Sequence, residues 1–157
     1  MFYMESVKKM KLVIGGTAQG KLEYVLLKHT QREYCNSCPF GQADLRPSMY
    51  DVPKNMVWDG VLPVDVELNG NIVIINHFHQ WVKSRLADGG CPEDEILSFL
   101  DRHEDCIILC DEIGNGIVPV DPFEREYRER LGRILVQLAE RAEEVERVLC
   151  GIGQKIK

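Results

Sequence analysis

The sequence predicts an α/β fold, built as a three-layer sandwich around a mostly parallel sheet. Apolar, strand-like runs alternate along the chain with amphipathic helical runs, and this alternation is typical of parallel sheets with helical crossovers. A glycine-rich turn, Gly15-Gly-Thr-Ala-Gln-Gly-Lys21, joins the first predicted strand to the first predicted helix. The G-x-x-x-x-G-K order in this position is that of a P-loop, so the fold is predicted to be P-loop NTPase-like.

The first half of the chain is predicted to hold one strand, one helix and a long irregular segment. The strand covers Lys11–Gly15 and the helix covers Lys21–Thr30, on either side of the turn. Prolines and glycines then interrupt residues 31–70, where short elements fit only near Asn55–Trp58 and Val64–Leu68. A segment of this length in a compact domain is commonly functional.

The second half of the chain alternates regularly between strands and helices. Strands are predicted at Asn71–Asn76, Cys106–Cys110 and Val145–Cys150, and helices at His77–Ala87, Pro92–His103 and Asp121–Glu144. Residues Gly151–Lys157 are predicted to be a basic tail. Parallel strands separated by helices place ligands at the carboxyl ends of the strands.

The composition bounds the class of protein. At 157 residues and 45% hydrophobic content, residues 11–157 are expected to form one domain, after a disordered extension over residues 1–10 or a later start at Met4 or Met10. The net charge of −6 argues against nucleic-acid partners and anionic membrane surfaces. No apolar run reaches the roughly 20 residues of a membrane span, and none near the start fits a signal peptide. A reducing, cytoplasmic location is expected.

The glycine-rich turn carries the features of a phosphate-binding site. Glycines let backbone N–H groups close around phosphate oxygens, and the positive end of the following helix points at the same place. Lys21 is expected to stabilise a transferred phosphoryl group. Leu22 stands where P-loops carry the serine or threonine that helps to hold Mg²⁺. The candidate nucleotide-binding residues are Gly15, Gly16, Thr17, Ala18, Gln19, Gly20, Lys21 and Leu22.

A second motif follows the predicted strand Cys106–Cys110, which leads into Asp111 and Glu112. An apolar strand that ends in two acids is typical of a Walker B element, where the first carboxylate holds Mg²⁺ and the second orients or deprotonates a nucleophile. Asp111 is therefore the candidate metal ligand, and Glu112 joins Lys21 as a candidate catalytic residue. The expected cofactor is Mg²⁺, with GTP or ATP as the substrate. Strands also end in acids that only face water, and this alternative stays open.

Two smaller groups of side chains offer other chemistry. His77 and His79 follow a predicted strand, where they either point the same way on an extended segment, as metal ligands do, or form a polar pair at the start of a helix. Cys35 and Cys38 form a C-x-x-C, but no second pair follows at the spacing of a structural zinc site. A small metal or redox module built on these two cysteines is a minor alternative.

Several segments resemble one protein family. Asp111-Glu-Ile-Gly-Asn-Gly-Ile-Val-Pro119 resembles a signature that reads asparagine-glutamate-valine-glycine-x-glycine-isoleucine-valine-proline. Tyr127–Arg133 resembles a phenylalanine-arginine-aspartate-x-x-glycine-arginine helix, and Gly151–Lys157 is similar to the closing segment. Gly15–Lys21 is similar to the family's P-loop. The family is that of adenosylcobinamide kinase/adenosylcobinamide-phosphate guanylyltransferase, of which the chain resembles a divergent and shortened member.

The resemblance covers roughly residues 11–30 and 71–157, and it implies both a fold and an activity. It implies a P-loop α/β fold assembled as a homotrimer. It also implies phosphorylation of adenosylcobinamide by a nucleoside triphosphate, followed by GMP transfer from GTP through a histidine–GMP intermediate. Gly15–Lys21 carry over as the phosphate cradle, and Glu112 as the acidic residue of the signature.

The chain departs from the family pattern at several positions. Leu22 replaces the P-loop serine, Asn76 stands where a glutamate is usual, and Leu135 stands where an asparagine is usual. The family's guanylylated histidine follows the first helix, but residues 31–70 hold no histidine and His29 does not match. The kinase step is therefore predicted rather than guanylyl transfer, since phosphoryl transfer needs no covalent residue. The alternative is a nucleotide-binding pseudoenzyme with a regulatory or scaffold role.

Overall fold

The computed structural model of the protein describes residues 10–34, 57–63 and 72–157. Within these ranges the chain forms six strands and four helices. In chain order they are β1 (Lys11–Gly15), α1 (Lys21–Tyr34), β2 (Val57–Asp59), β3 (Val73–Asn76), α2 (Phe78–Ala87), α3 (Pro92–Arg102), β4 (Cys106–Asp111), α4 (Pro122–Arg141), β5 (Glu144–Leu149) and β6 (Ile152–Lys155).

These strands form one sheet in the order β2-β3-β4-β1-β5-β6. Neighbouring strands are parallel except for β5 and β6, which are antiparallel. The central strand β1 lies between β4 and β5, and its last residue, Gly15, is paired with Asp111. The predicted α/β class with a mostly parallel sheet is confirmed.

Helices cover both faces of the sheet, because successive side chains of a strand point to opposite faces. On one face, Val25 of α1 is buried in a cluster with strand residues such as Val13. On the other face, α2, α3 and α4 enclose a larger cluster that contains Ile75 and Ile108. Helix, sheet and helices therefore form the three layers that the sequence predicts.

Helix α4 ends earlier than its apolar period predicts. The pattern extends to Glu144, but the helix ends at Arg141 and Ala142 is already extended, with ψ of 139°. The N–H group of Glu143 donates to the carbonyl of Met10 at 2.9 Å, and β5 begins at the next residue. The helix stops because this part of the chain pairs with the start of β1.

The last residues form a strand rather than the basic tail that the sequence predicts. β6 pairs with β5 across a tight turn at Cys150 and Gly151, which have positive φ values of 51° and 75°. Positive φ at both central residues is the requirement of a type I′ turn. No alternation of apolar and polar side chains marks β6, so pairing with β5 is what makes it a strand.

Some predictions fall outside the described residues. They concern residues 1–9, Cys35, Cys38 and Val64–Leu68. Within the described part of segment 31–70, α1 continues to Tyr34, and β2 overlaps the short element predicted at Asn55–Trp58. None of the described helices is long and apolar enough to cross a membrane.

Candidate functional site

Four parallel strands end at the same edge of the sheet and bring the candidate residues together. β1 ends at Gly15 and β4 at Asp111, which are paired across the two strands. β2 ends at Asp59 and β3 at Asn76, which are paired in the same way. Ligands of open α/β sheets bind at the carboxyl ends of the strands. This edge, which we call the strand edge, is the candidate site.

The glycine-rich turn begins in close contact with the neighbouring strand β5. A Cβ atom at Gly15 would lie 2.4 Å from the carbonyl oxygen of Val148, so a side chain does not fit there. Ala18 and Gly20 have positive φ values of 55° and 79°. The strain at Ala18 is of the kind that folded proteins keep at ligand-binding turns.

Hydrogen bonds tie the same turn to the β5–β6 hairpin. The backbone carbonyl of Gln19 accepts from the N–H group of Gly151 at 2.8 Å. The side-chain oxygen of Gln19 accepts from the N–H group of Cys150, also at 2.8 Å. Contacts with the sheet and the hairpin therefore set the shape of the turn.

Lys21 and Asp111 form a buried ion pair at the centre of the strand edge. Nζ of Lys21 lies 2.5 Å from Oδ1 of Asp111, and it donates to the carbonyls of Gly16 at 2.7 Å and Gly15 at 3.3 Å. Burial acts to raise the pKa of Asp111, but the hydrogen bond and the charge of Lys21 outweigh it and hold the pKa below its usual value. The carboxylate therefore stays charged, with the lysine as its counter-ion.

A threonine hydroxyl reaches the same carboxylate. Oγ1 of Thr17 donates to Oδ2 of Asp111 at 3.0 Å. Leu22, in contrast, packs against the cluster between α1 and the sheet. A hydroxyl is thus absent at position 22, where the motif expects it, but present at position 17 beside the candidate metal ligand. The sequence predicts Thr17 only as part of the phosphate cradle.

His79 supports Asp111 from helix α2. Its Nδ1 accepts from the N–H group of Asp111 at 3.3 Å, and its Nε2 lies 3.7 Å from Oδ2 of Asp111. The hydroxyl of Tyr127 donates to the carbonyl of His79 at 2.8 Å, which ties α2 to α4. Burial lowers the pKa of His79, against an opposing effect of the Asp111 charge. His79 is therefore a neutral ring beside the ion pair.

His77 lies between β3 and α2 in a left-handed conformation, with φ of 49°. Because the helix starts at the next residue, the alternative of an extended segment with both histidines pointing the same way is wrong. The two rings lie 5.7 Å apart, edge to face. Nδ1 of His77 lies 2.5 Å from Oδ1 of Asp59, and Nδ2 of Asn76 donates to the same oxygen at 3.0 Å. The histidines therefore have separate acidic partners.

Glu112 lies beside the glycine-rich turn and is paired with an arginine. Its N–H group donates to the carbonyl of Gly15 at 2.9 Å, which continues the pairing of β4 with β1. Its Oε2 accepts from Nη2 of Arg147 at 2.9 Å. The structure thus brings Lys21 and Asp111 into direct contact, and Glu112 is the next residue of the chain after Asp111.

The sequence does not predict Asp59, Tyr127 or Arg147 as parts of the strand edge. Asp59 ends a strand of three residues, too short for a hydrophobic period to reveal. Tyr127 fits the apolar face of α4, and Arg147 belongs to no motif. Nothing in the sequence therefore indicates a functional role for either residue. The only available signal is the Asp59-Gly60 pair, an acid followed by glycine where a short strand could end.

The fold and the strand edge define a mostly parallel, P-loop-like α/β protein with a buried lysine–aspartate pair. A family model described as cobinamide kinase / cobinamide phosphate guanyltransferase matches residues 63–156, which is more than half of the chain. The chain belongs to this family, as its resemblance predicts. The matched range includes Asp111 and Glu112, and it begins after Gly15–Lys21.

Two curated relatives are similar to part of the chain. A protein of Salmonella typhimurium, named bifunctional adenosylcobalamin biosynthesis protein CobU, is 38% identical over 69 residues, which are 41% of this chain and 38% of that protein. The Escherichia coli protein of the same name is 40% identical over 67 residues, which are 40% of this chain and 37% of that protein. The chain therefore matches well under half the length of either relative.

Proposed function

We propose that the protein is a nucleotide-binding enzyme of cobalamin biosynthesis that transfers a phosphoryl group from GTP or ATP to adenosylcobinamide. Its family and the two relatives named for adenosylcobalamin biosynthesis support the pathway and the substrates. The observation that carries the kinase step is the buried pair of Lys21 and Asp111 beside the glycine-rich turn. By family resemblance we also expect a homo-oligomer, a trimer.

The glycine-rich turn Gly15–Lys21 is proposed to cradle the nucleotide phosphates through its N–H groups. In the structure, Lys21 is the counter-ion of Asp111. A triphosphate offers the ammonium group a more highly charged partner, so its binding separates the pair and turns Lys21 towards the phosphates. Lys21 then stabilises the charge that develops on the transferred phosphoryl group.

The side chains around Asp111 fit Mg²⁺ that arrives with a nucleotide. Proteins usually bind Mg²⁺ through one or two carboxylates together with substrate phosphates and waters. Asp111 supplies a carboxylate and Thr17 a hydroxyl 3.0 Å from it, while the described residues contain no group of three or more histidine, cysteine, aspartate or glutamate side chains that could hold a metal alone. When bound, Mg²⁺ neutralises charge on the phosphates. Thr17 replaces the hydroxyl that is missing at Leu22.

Glu112 is proposed to orient the acceptor hydroxyl. It follows Asp111 directly, and Arg147 holds its carboxylate at 2.9 Å. A carboxylate fixed by an arginine keeps one orientation, which suits it to position a hydroxyl group. Phosphoryl transfer depends mainly on positioning and on charge, and Lys21, Asp111 and Glu112 provide both kinds of interaction.

Transfer of ³²P from labelled GTP or ATP to adenosylcobinamide tests this proposal. The wild-type protein with Mg²⁺ should label the acceptor, and Lys21→Ala should slow the transfer by at least about 100-fold because it removes charge stabilisation at the phosphates. Lys83→Ala is the matched control, since Lys83 pairs with Glu124 on the surface, and its rate should stay near wild type. Failure of the wild-type protein to label the acceptor with either nucleotide would contradict the proposal.

The alternative function is that of a nucleotide-binding pseudoenzyme with a regulatory or scaffold role. Leu22 favours it, because this side chain packs into the core and offers no hydroxyl. Asn76 also favours it, because an amide that donates to Asp59 stands where the family usually has a glutamate. Calorimetric titration with GTP and ATP, with and without Mg²⁺, separates the two functions. Tight binding together with no turnover would identify the pseudoenzyme.

A further inference from the structure

Asp59 and His77 form a carboxylate–histidine pair at the outer half of the strand edge, the half formed by β2 and β3. Nδ1 of His77 and Nδ2 of Asn76 both approach Oδ1 of Asp59, at 2.5 Å and 3.0 Å. Because a carboxylate oxygen only accepts hydrogen bonds, the closer contact with Asp59 favours a proton on Nδ1 and a lone pair on Nε2, with Nδ2 of Asn76 3.2 Å from the same nitrogen. None of the residues that the structure describes forms a hydrogen bond with Nε2, and the side chain is 38% exposed. With respect to the described part of the chain, Nε2 of His77 is thus available as a proton acceptor.

Helix capping does not explain this arrangement. His77 is the N-cap residue of α2, but its side chain makes no capping hydrogen bond. Its φ of 49° lies in the left-handed region, which residues other than glycine adopt rarely. Strained conformations of this kind cluster at active sites and ligand clamps. The left-handed conformation of His77 is therefore associated with the contact between its ring and Asp59 rather than with capping of the helix.

The pair is connected to the proposed phosphate site. The ring of His77 is 5.7 Å from the ring of His79, between centroids. Nε2 of His79 lies 3.7 Å from Asp111, which contacts Lys21 at 2.5 Å. These residues follow or end the neighbouring strands β2, β3, β4 and β1. An acceptor that lies across the strand edge would therefore have His77 on one side and the nucleotide on the other.

We propose that His77 is the general base that deprotonates the acceptor hydroxyl and that Asp59 is its positioning residue, an assignment that rests on the proposed kinase function. The proton of the hydroxyl moves to Nε2 while the hydroxyl oxygen forms a bond to the γ-phosphorus. The bond from that phosphorus to the bridging oxygen breaks, and its electron pair leaves with the nucleoside diphosphate. Asp59 stabilises the imidazolium until water takes the proton.

The charged groups around His77 support this role. Among the described residues, the titratable side chains that face it are Asp59 from β2 and His79 from α2. The carboxylate of Asp59 lies beside Nδ1 of His77, where it can balance the positive charge that the ring gains with the proton. Asp111 faces His79 rather than His77. Glu112 keeps its proposed part in orienting the hydroxyl.

His77→Asn tests the base, because asparagine tolerates the left-handed conformation at this position. In the ³²P-transfer assay with adenosylcobinamide, kcat should fall by about 100- to 10,000-fold, while KM for the nucleotide changes less than about threefold. The acidic limb of the wild-type pH–rate profile, which reports deprotonation of His77, should disappear. His103→Asn, at the end of α3, is the matched control and should keep the wild-type kcat and profile.

Asp59→Asn tests the positioning residue. It should lower kcat by about tenfold, because the ring of His77 loses the carboxylate that orients it and balances its charge. Independently of activity, long-range ¹H–¹⁵N spectra of the wild-type protein at alkaline pH should show His77 protonated at Nδ1. Protonation at Nε2 would overturn the proposal, since the lone pair would then face Asp59.

Further outcomes separate this proposal from the kinase function. Transfer by His77→Asn at the wild-type rate, with an unchanged acidic limb, would overturn the base and leave the kinase function standing. A labelled phosphoryl or nucleotidyl adduct on His77 would also overturn the base, because a general base forms no bond to phosphorus. Absence of transfer by the wild-type protein would overturn both proposals.

Discussion

The two halves of the strand edge pair an acid with a base in opposite settings. In the inner half, formed by β1 and β4, the side chains of Lys21 and Asp111 are 7% and 8% exposed. In the outer half, formed by β2 and β3, those of His77 and Asp59 are 38% and 63% exposed. The two contacts have the same length of 2.5 Å, so distance does not distinguish them. Burial does.

Burial determines how each pair can interact with a ligand or with water. In the inner half, neither Lys21 nor Asp111 tolerates being charged alone, because an unpaired buried charge has a large desolvation cost. An incoming ligand must therefore offer both an anion to the lysine and a cation to the carboxylate, as a magnesium nucleotide does. In the outer half, both side chains are in contact with water, which screens their charges. This difference in burial agrees with the two proposals, which assign nucleotide binding to the inner half and proton transfer to the outer half.

The largest effect on stability is expected when the inner pair of Lys21 and Asp111 is broken. Lys21→Met leaves Asp111 buried without a cation and should lower the free energy of unfolding by about 3 kcal/mol. Since the hydrogen bond and the charge of Lys21 are the largest effects that oppose burial, the pKa of Asp111 should rise in this variant. Urea unfolding near neutral pH measures the stability. Asp59→Asn, in the outer half, should leave the free energy of unfolding nearly unchanged.

Adding Asp111→Asn to Lys21→Met should recover much of the stability, because no unpaired charge then remains. A double variant as unstable as Lys21→Met would contradict the comparison. In the wild-type protein, the lowered pKa of Asp111 means that its contribution is present above the unfolded-state pKa and is lost as the pH falls through the folded-state value.

An intermediate effect is expected at the glycine that begins the turn of the inner half. In Gly15→Ala, the new Cβ meets the backbone oxygen of Val148 at 2.4 Å, so the turn or β5 must shift. The expected loss is about 1–3 kcal/mol in the free energy of unfolding, with weaker nucleotide binding.

Gly132→Ala in α4 is the matched control, because its Cβ meets no atom within 4 Å. Alanine should stabilise this helix by up to about 1 kcal/mol. Thermal unfolding compares the two variants. A Gly15→Ala protein as stable as Gly132→Ala would show that the close approach to β5 does not constrain the turn.

The smallest effect on stability is expected for a more exposed ion pair, which serves as a comparison for the buried one. Arg130 of α4 holds both oxygens of Glu93 in α3, at 2.7 Å and 2.8 Å. Its hydrogen bonds lower the pKa of Glu93 to about 2 from the usual 4.5. Because the folded-state pKa is the lower one, the stabilisation is present above pH 4.5 and is lost as the pH falls towards 2.

Solvent screening limits this stabilisation to about 1 kcal/mol. Glu93→Gln should therefore lower the free energy of unfolding by that amount at neutral pH, and the difference from wild type should shrink as the pH falls below 4.5. Urea titrations across this range measure it. A difference that persists undiminished in acid would mean that the carboxylate charge is not its source.

Most of the helices and strands could be predicted because local patterns specify them. Apolar runs mark β1, β3 and β4, and an apolar face with period 3.6 marks α4. β2 and β6 carry too few apolar residues for either pattern, and each exists because a neighbouring strand pairs with it. The end of α4 depends in the same way on pairing with the start of β1.

The candidate site could be predicted only where a motif lies within one short stretch of chain. Lys21 belongs to such a stretch, and so do Asp111 and Glu112. The contact between Thr17 and Asp111 joins residues 94 positions apart, and the pair of Asp59 with His77 joins the end of β2 to the start of α2. No local pattern specifies such contacts.

Hydrophobic period, turn chemistry and motif order are properties of neighbouring residues, so the α/β class and the family resemblance could be predicted from the sequence alone. The sequence also predicts the glycine-rich turn and the acids Asp111 and Glu112 as candidate site residues. The contacts of Thr17 with Asp111 and of Asp59 with His77, in contrast, appear only when the chain is folded. The physical reason is that strand order and burial are set by contacts between distant parts of the chain, and these contacts determine which charges are enclosed and which face water.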